Sequence, residues 1–487
     1  MDKLIDKATW LTSLQCRNKA WRDLRSTPAI PTEAALFRMQ QGQEIGALAR
    51  RLYPDGVVVS RANGKPSVQI TQELIATNSD CTLFEAEFTS GPFVTRADIL
   101  QGKNGVWQVL EVKSSFSDTG NIKNLIDDLA YTVMVLRRAG LSVTSAHLCL
   151  LSRGYRFGDG PDLLFKSVDK TADVNVRIAE FETIADAVAT ALLDDDNSPA
   201  PALSSACRDC DYFAEACLGA GIKHSVLEIP GLHFTKLKEL SAAGIVDLSG
   251  LPPDFKLNDR QTRANEACRA GKQIVGPGLK AALAGVAWPC HYLDFETVAT
   301  VLPLYAGHAC HRPVLTQFSI HHRDAANSVP THSEYLADAS KDCENEVADA
   351  LIRALGTSGS VMVYSSYEKT RIKGLRDQFP DKADALDAVL LRLLDLLPII
   401  QDCIYCPEFR GSFSIKKVLP ALVPDLSYGD LEVADGEAAI TQFARMARKE
   451  LVGEQAETAR NALLRYCERD TLAMVRLHET IGLLADA

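Results

Sequence analysis

Long apolar runs, a secretory leader and an excess of positive charge are all missing from this sequence. No apolar run approaches the length of about 20 residues that a helix needs to span a bilayer. The N-terminal stretch lacks the basic-then-apolar layout of a secretory signal. The formal net charge of −11 disfavours binding to phosphate backbones over the whole surface, although it permits local basic patches. We therefore expect a cytoplasmic protein with no membrane partner.

The composition that is present is typical of a globular protein with more than one domain. Hydrophobic residues make up 46% and charged residues 24% of the 487 residues, and this length exceeds what one core usually fills. The 13 cysteines are not expected to form a disulfide framework, because a cytoplasmic compartment keeps thiols reduced. Some of them are therefore candidate metal ligands.

Two carboxylates are predicted to share one face of a strand in the segment Tyr292–Thr297. Side chains alternate between the two faces of a strand, so Asp294 and Glu296 point to one side while the apolar residues before and between them enter the core. The alternative is that the two carboxylates only cap the end of a strand.

A tyrosine and an aspartate form a second acidic motif near the C-terminus. Tyr466 and Asp470 are four residues apart, a spacing that places both on one face of the helix predicted around them. Carboxylates that surround one cleft repel each other unless cations lie between them. Two divalent ions about 3.5–4 Å apart are a common means of cleaving phosphodiester bonds. The alternative is a solvated helix face without metal.

The order of these motifs resembles the DnaQ-like exonucleases of the ribonuclease-H-like fold, whose motifs read D-x-E, an acidic residue, and Y-x3-D. Here the middle acid is Glu368, at the start of a helix that follows the strand-like run 361–364. Glutamate replaces the aspartate usual in the family and still ligates a hard cation through oxygen; Asp395 and Asp402 are alternatives. The resemblance implies that Tyr466 orients the attacking water and that four acids hold two Mg or Mn ions: Asp294, Glu296, Glu368 and Asp470.

A third set of charged residues is predicted on a β-hairpin formed by the runs 93–100 and 107–114. Alternation places Glu111 and Lys113 on one face of the second strand, and Asp98 reaches them from the first. Asp98 followed by Glu111-x-Lys113 resembles the PD-(D/E)xK nuclease superfamily. The resemblance implies that Asp98 and Glu111 bind Mg, and that Lys113 orients water or stabilises the developing negative charge.

Two features of the RecB-like members of that superfamily are missing around this hairpin. Their first helix carries a G-x3-H metal ligand, but Gly42–Gly46 contains no histidine. Their helix after the lysine often carries glutamine with a tyrosine downstream, whereas Asp128 and Tyr131 stand in that stretch here. A nucleic-acid-binding scaffold that has lost catalysis therefore stays open as an alternative for the N-terminal part.

Three thiols lie close together in the spacing Cys207-x2-Cys210-x6-Cys217. A tetrahedral zinc or a cubane cluster needs four ligands, and Cys16 is the best candidate for the fourth. One early and three late cysteines around a nuclease-like segment resemble the iron–sulfur RecB-like nucleases, which implies a 4Fe–4S cluster on these four thiols. The alternatives are a zinc site and buried free cysteines.

A basic, glycine-containing segment at residues 409–417 enters an apolar helix. Its backbone amides, with Arg410, Lys416 and Lys417, are predicted to hold phosphates of a nucleic acid near the C-terminal acidic motifs. The alternative is an exposed, solvated turn.

Together the motifs predict an α/β protein in three parts. A restriction-endonuclease-like PD-(D/E)xK domain covers residues 1–221, a helical spacer with a helix-hairpin-helix-like turn covers 222–287, and a ribonuclease-H-like mixed-sheet domain covers 288–487. The combination resembles a family of bacterial fusions of a RecB-like nuclease with a DnaQ-like exonuclease, which implies metal-dependent hydrolysis of DNA ends or single strands in repair or defence. RNA is the alternative substrate, because neither acidic set distinguishes sugars. The sequence does not identify a protein partner, so protein partners stay unknown.

Overall fold

The protein divides into two compact units. The computed structural model describes residues 3–60, 65–433 and 435–487. Unit 1 consists of Met1–Ala202 and Thr300–Arg312, and unit 2 consists of Leu203–Ala299 and Pro313–Ala487.

This division differs from the three-part layout predicted from the sequence. The predicted spacer 222–287 belongs to unit 2, where its strand Ile274–Val275 pairs with Ile404–Tyr405. The segment Thr300–Arg312, which the prediction placed in the third domain, belongs to unit 1. Both differences arise from contacts between residues far apart in the sequence, which composition and local pattern do not register.

Unit 1 contains a six-stranded sheet with helices packed against it. Its helices are α1 (Lys7–Gln15), α2 (Arg17–Asp23), α3 (Glu33–Arg50), α4 (Ser67–Thr77), α5 (Ile122–Arg138) and α6 (Thr171–Leu193). Its strands are β1 (Val57–Val58), β2 (Thr82–Ser90), β3 (Phe93–Lys103), β4 (Val106–Phe116), β5 (Val143–Leu151) and β6 (Phe165–Asp169).

The sheet of unit 1 is mixed. The strand order is β1-β2-β3-β4-β5-β6, in which β1·β2 and β4·β5 are parallel pairs and the other pairs are antiparallel. β3 and β4 form the predicted hairpin. Asn104 and Gly105 in its turn have φ angles of 53° and 75°, as a tight two-residue hairpin turn requires.

An aromatic cluster holds α1 against this sheet. The Trp10 ring lies edge-on to Phe93 and Phe181, with centroids 5.8 and 5.1 Å apart. All three side chains are buried, and burying an aromatic side chain of this kind contributes about 2 kcal/mol or more. The first residue of the same helix is Lys7, so this packing fixes the position of the Lys7 side chain.

The segment Thr300–Arg312 is bound to the rest of unit 1 by polar contacts at several points. Val301 N donates to Gln41 Oε1 at 2.7 Å, and a nitrogen of His311 lies 2.6 Å from the carbonyl oxygen of Ser114. The His311 ring also packs edge-on against Phe116, with centroids 5.3 Å apart. The segment is therefore part of the folded body of unit 1.

Unit 2 contains a five-stranded sheet and a two-stranded sheet. Its helices are α7 (Tyr212–Ala216), α8 (Phe234–Ala242), α9 (Asp259–Ala270), α10 (Leu279–Leu283), α11 (Glu344–Leu355), α12 (Tyr367–Gln378), α13 (Ala383–Leu390), α14 (Leu396–Cys403), α15 (Ile415–Leu422), α16 (Gly436–Ala447) and α17 (Glu454–Asp486). Its strands are β7 (Ile274–Val275), β8 (Cys290–Val298), β9 (Val314–Arg323), β10 (Thr331–Leu336), β11 (Ser360–Val363), β12 (Leu393–Asp395) and β13 (Ile404–Tyr405).

The larger sheet of unit 2 is also mixed, with β8 in its centre. The strand order is β10-β9-β8-β11-β12; β9 is antiparallel to both neighbours, whereas β8, β11 and β12 are parallel. The long helix α17 covers one face, where Gln317 Nε2 donates to the carbonyl oxygen of Leu463 at 3.0 Å. The predicted α/β class is therefore confirmed in both units.

The predicted helix-hairpin-helix-like turn takes a different form. Helix α8 ends at Ala242, and Gly244 turns the chain with a φ of 69°. A short 3-10 turn at Leu248–Gly250 follows, and the next α-helix begins at Asp259.

Across the three described ranges, no helix has both the length and the apolar surface that crossing a bilayer demands.

Gly359 is required where the chain enters β11. Its φ is +79°, and a Cβ atom there would lie 1.7 Å from the carbonyl oxygen of Pro289. We expect Gly359→Ala to destabilise the protein by about 3 kcal/mol, because left-handed strain and overpacking add. Gly374→Ala is the matched control: it lies in α12 with open space around it and should stabilise by about 0.5 kcal/mol. Chemical denaturation measures both, and similar unfolding free energies would contradict the expectation.

Candidate functional site

Strand β8 presents two carboxylates to the face of the sheet covered by α17. Asp294 and Glu296 are half-buried, whereas Leu293, before Asp294, and Phe295, between the two acids, are buried in the core. The alternation predicted from the sequence is therefore present. Ser319 and Gln317 on β9 lie directly opposite the two acids, so small and neutral neighbours flank them on that side.

Helix α17 brings the second motif to the same place. Tyr466 and Asp470 are 4% and 7% exposed, so neither is on a solvated helix face. Ligand atoms of Asp294, Glu296 and Asp470 all lie within 4.8 Å of one another. Three carboxylates at this spacing have the geometry that a hard divalent cation needs.

Glu368 adds a fourth carboxylate from the first turn of α12. Its side chain is 4% exposed, and its buried Oε2 has no hydrogen-bond partner among the described residues. The negative charge of Glu368 contributes to the raised pKa of Asp294, so the two groups interact electrostatically, although Glu368 lies outside the group of three acids within 4.8 Å. An orphaned carboxylate oxygen beside three other acids fits a cation ligand.

The two alternatives for the middle acid have other roles. Asp395 caps α14, where its Oδ1 accepts from Leu397 N at 2.9 Å. The Asp402 side chain is 65% exposed and pairs with Arg260 at 2.7 Å. Of the three candidates, Glu368 is the acid whose negative charge raises the pKa of Asp294.

Burial and mutual repulsion raise the pKa values of these acids. Burial, followed by the negative charges of Asp470, Glu368 and Glu296, raises the pKa of Asp294 well above its ordinary range. The pKa values of Glu296, Glu368 and Asp470 rise to about 8, 7 and 6, with burial as the largest cause for each. Cations in the cluster would remove this penalty, because each added positive charge favours the ionised carboxylates.

Tyr466 is a protonated phenol at neutral pH. Burial, and then the negative charges of Asp470, Glu296 and Asp294, raises its pKa far above the ordinary value. The phenol is therefore neutral, it is hydrogen-bonded to Asp470, and it is not a base near neutral pH.

Sequence reasoning missed two further groups at this cluster. Tyr428 donates its hydroxyl proton to Asp470 Oδ1 at 2.5 Å, and Cys467 Sγ lies 3.4 Å from Asp294 Oδ2. Tyr428 lies in a loop whose local pattern carries no signal of this contact. Cys467 is adjacent to Tyr466 on the helix, but a single cysteine without a spacing motif carries no signal of this contact.

Lys416 lies beside the acids, whereas Arg410 and Lys417 lie elsewhere. The Lys416 ammonium is 5.3 Å from the ring centroid of Tyr466 and lowers the pKa of Glu296 and Asp470. Arg410 and Lys417 both line a cavity of about 680 Å³ in unit 2. The predicted phosphate-binding set is therefore divided between the acidic cluster and that cavity.

The predicted N-terminal site has an internal counter-charge. Glu111 is 1% exposed, and its Oε1 lies 2.5 Å from Lys7 Nζ and 3.0 Å from Lys113 Nζ. Asp128 pairs with the same two ammonium groups at 2.7 and 2.6 Å. Two lysines thus occupy the space around the acid that the resemblance assigns to a metal.

The two predicted acids of this site have opposite pKa shifts. Although burial alone would raise the pKa of Glu111, Lys7 and Lys113 lower it to about 2. Burial, and then the negative charge of Glu111, raises the pKa of Asp98 to about 7, and Asp98 accepts from Val112 N at 2.8 Å. Lys7 was not predicted, because nothing in a helix-starting lysine signals a contact 104 residues away.

Asp98 also lines a smaller cavity of unit 1. This cavity of about 360 Å³ includes Gln43, Arg50 and Glu85 among its walls. Glu85 has a φ of +57° and pairs with Arg50 at 3.2 Å. No metal-ligand group with atoms within 4.8 Å among the described residues includes Asp98 or Glu111.

The four cysteines predicted to hold a cluster are half-buried and form no disulfide bond within the described residues. Cys16 caps α2 in unit 1, where its Sγ accepts from Lys19 N at 3.4 Å. Cys207, Cys210 and Cys217 lie in unit 2. Of the metal-ligand groups in the described ranges, none contains any of these thiols, so a 4Fe–4S cluster or zinc on them stays a prediction of the sequence.

A second group with metal-ligand character consists of His224, Glu228 and Cys268. Its charge is balanced by the protein itself, because the Arg410 guanidinium lies 3.1 Å from Glu228 Oε1. Burial raises the pKa of Cys268 to about 12, so its thiol is neutral. This group is a buried ion-pair cluster.

Comparisons with known proteins give no function for this chain. A family described as "Domain of unknown function (DUF2779)" matches residues 291–414. A curated relative, "Uncharacterized protein MG366 homolog" from Mycoplasma pneumoniae (strain ATCC 29342 / M129 / Subtype 1), is 27% identical over 216 residues. The match covers 38% of this chain and 31% of the relative, so the chain spans about a third of that relative's length.

Among solved structures, "Crystal structure of SSO0001" aligns over 42% of this chain and 94% of that protein, with 18% identity and a TM-score of 0.16. A TM-score of this size carries no conclusion about the fold. The family match includes Asp294, Glu296 and Glu368 but not Asp470.

The raised pKa values of the acidic cluster predict an unusual pH dependence of stability. The folded protein holds protons on Glu296, Glu368 and Asp470 up to about pH 8, 7 and 6, whereas the unfolded chain releases them near pH 4. Stability from this source is therefore full below about pH 4 and is lost as the pH rises through these values. We expect the Tm in EDTA to fall by about 5 °C between pH 5 and pH 8.

Divalent cations should reverse this loss. Ligands must be deprotonated to bind metal, so Mn²⁺ should raise the Tm more at pH 8 than at pH 5. The double variant Asp294→Asn, Glu296→Gln is the control, because it removes two of the repelling acids and should flatten both responses. Scanning fluorimetry measures them, and a metal-free Tm that rises toward pH 8 would contradict the expectation.

Proposed function

We propose that this protein is a metal-dependent nuclease whose catalytic centre lies in unit 2. The observation that carries the proposal is the convergence of four carboxylates from β8, α12 and α17. Three of them have ligand atoms within 4.8 Å of one another, and the fourth, Glu368, has a buried oxygen without a partner. The mixed sheet with β8 at its centre supports a ribonuclease-H-like, DnaQ-like exonuclease domain.

In this proposal the acids Asp294, Glu296, Glu368 and Asp470 hold Mg or Mn. Bound divalent ions would lower the pKa of water and stabilise the charge that develops on the phosphate. Tyr466 orients the attacking water through its protonated hydroxyl. The Lys416 ammonium lies 5.6 Å from the ring centroid of Tyr428 and 5.3 Å from that of Tyr466. It adds a positive charge near the scissile phosphate.

DNA is the proposed substrate, and RNA is the alternative. The four acids would act on the phosphodiester group, which DNA and RNA share. Experiment must therefore decide which sugar the substrate contains. Degradation of matched end-labelled DNA and RNA oligonucleotides in Mn²⁺ decides between them. A role in repair or defence follows from the resemblance to bacterial nuclease fusions and is part of the same proposal.

Glu368→Gln tests the assignment of the middle acid. We expect it to lower kcat on end-labelled DNA by about 100-fold or more, because a neutral amide at that position weakens the metal site. Asp294→Asn and Asp470→Asn should abolish turnover. Asp402→Asn is the matched control, since this exposed acid pairs with Arg260 and its loss should leave kcat unchanged. Equal activity of Glu368→Gln and the wild type would contradict the assignment.

For unit 1 we propose a PD-(D/E)xK-like fold that binds nucleic acid without hydrolysing it. The observation that favours this function is the pair of ammonium groups of Lys7 and Lys113 around Glu111 and Asp128. The two lysines neutralise the acids that a catalytic cation would need. The absent histidine in Gly42–Gly46 supports the same conclusion.

Lys7→Met tests this neutralisation. Removing one partner of a buried ion pair typically costs about 3 kcal/mol or more, so we expect a loss of that size in unfolding free energy. Lys19→Met is the matched control in the same unit. Lys19 pairs with Asp23 on the surface at 3.0 Å, and its loss should cost about 0.5 kcal/mol or less.

Metal binding provides the second readout. The full chain carrying Asp294→Asn and Asp470→Asn should bind no Mn²⁺ tightly in isothermal titration, because the remaining acids of unit 1 already have counter-charges. Tight binding of one or two ions by that variant would show an active metal site in unit 1.

A further inference from the structure

We propose that the 680 Å³ cavity of unit 2 binds the sugar–phosphate backbone of a single-stranded nucleic acid next to the nucleotide being hydrolysed. This inference rests on the proposed nuclease function and names the form of its substrate. The cavity forms where the segment 207–228 meets the segment 410–417. Its size lies within the range of about 300–1,000 Å³ that is typical of ligand sites.

The charge of the cavity opposes the charge of the whole chain. Four cationic side chains, Arg208, Lys223, Arg410 and Lys417, line it against two acidic ones, Asp209 and Glu228, although the net charge is −11. A concentration of cations on an acidic protein indicates an anionic ligand.

The two lysines are available to that ligand. Glu228 is already engaged, since it accepts from Arg410 Nη1 at 3.1 Å and from Ser225 N at 3.2 Å, and its Oε2 lies 2.8 Å from His224 Nδ1. Over the ranges that the structure describes, no hydrogen bond or ion pair occupies the side chain of Lys223 or Lys417. Both residues are exposed, so their ammonium groups can meet phosphates.

An aromatic ring accompanies the cations. Phe213 lines the cavity and packs against Gly219, where a Cβ atom would lie 2.5 Å from the ring. The absence of a side chain at Gly219 lets the ring pack closely against the backbone there. Cations for phosphates combined with an aromatic face for bases are the means by which proteins bind single strands without sequence preference.

Helix α15 links the cavity to the catalytic acids. Lys416 and Lys417 are consecutive residues in its first turn, with Cα atoms about 3.8 Å apart. Lys416 lies beside Glu296 and Asp470, and Lys417 lines the cavity. A strand whose terminal phosphate lies at the acids can therefore continue past Lys416 toward Lys417 and the cavity.

The double variant Lys223→Glu, Lys417→Glu tests the inference. Its affinity for a fluorescent dT12 or rU12 oligonucleotide is measured by anisotropy in EDTA over a series of NaCl concentrations, with the full chain. We expect binding to weaken by about 10-fold or more, and the slope of log K against log[NaCl] to fall by about 1.4, since each phosphate contact on a single strand contributes about 0.7. Phe213→Ala should weaken binding by about 5-fold or more through lost stacking.

Lys373→Glu is the matched control, an exposed lysine on α12 of the same unit, and should bind as the wild type does. Binding by the double variant equal to that of Lys373→Glu would overturn the inference. Displacement of the oligonucleotide by inorganic phosphate, where NaCl of equal ionic strength does not displace it, would show a small-anion site and also overturn it. Loss for either oligonucleotide supports it.

Failure of the proposed function gives a different result. Hydrolysis that persists in Asp294→Asn would refute the nuclease centre, whereas the binding measurements in EDTA do not depend on catalysis. Because Lys223 and Lys417 are exposed, we expect the Tm of each variant to be close to that of the wild type. An unchanged Tm shows that the change in affinity comes from the cavity and not from unfolding.

Discussion

Repulsion among buried carboxylates is the constraint on which the centre of unit 2 depends. Asp294, Glu296, Glu368 and Asp470 come from three separate elements, and each loses hydration when the fold brings it in. The apolar packing between the sheet and α17 must outweigh this cost. The fold thus stores unfavourable charge at one point, and protons, Lys416 or divalent cations can each relieve it.

Both units bury carboxylates, but the charge of these carboxylates is compensated differently in each unit. Unit 1 surrounds its buried Glu111 with the ammonium groups of Lys7 and Lys113, and its carboxylate stays ionised. Unit 2 provides Lys416 and the hydroxyl of Tyr428 against four acids, which leaves an excess of negative charge. An internal counter-ion makes a site complete by itself, whereas an excess of charge makes it dependent on a ligand. This contrast is the reason that we propose the catalytic centre in unit 2.

The acids of unit 2 could be predicted from sequence because local periodicity fixes their directions. Two-residue alternation put Asp294 and Glu296 on one face, and the four-residue spacing did the same for Tyr466 and Asp470. The groups that complete each cluster could not be found in this way. Tyr428 reaches Asp470 from a loop, and Lys7 reaches Glu111 across 104 residues; both contacts depend on how elements pack. The predicted domain boundaries differ from the boundaries of the two units for the same reason, since the contacts of Thr300–Arg312 are long-range.

The insertion of Thr300–Arg312 into unit 1 has a consequence for biosynthesis. Domains usually fold in order as they leave the ribosome, but unit 1 lacks part of its body until residue 312 has been translated. By then β8, with Asp294 and Glu296, has already been translated. Folding of the N-terminal body is therefore completed only during synthesis of the C-terminal one, and a gene split at residue 202 would leave the first product without its last thirteen residues.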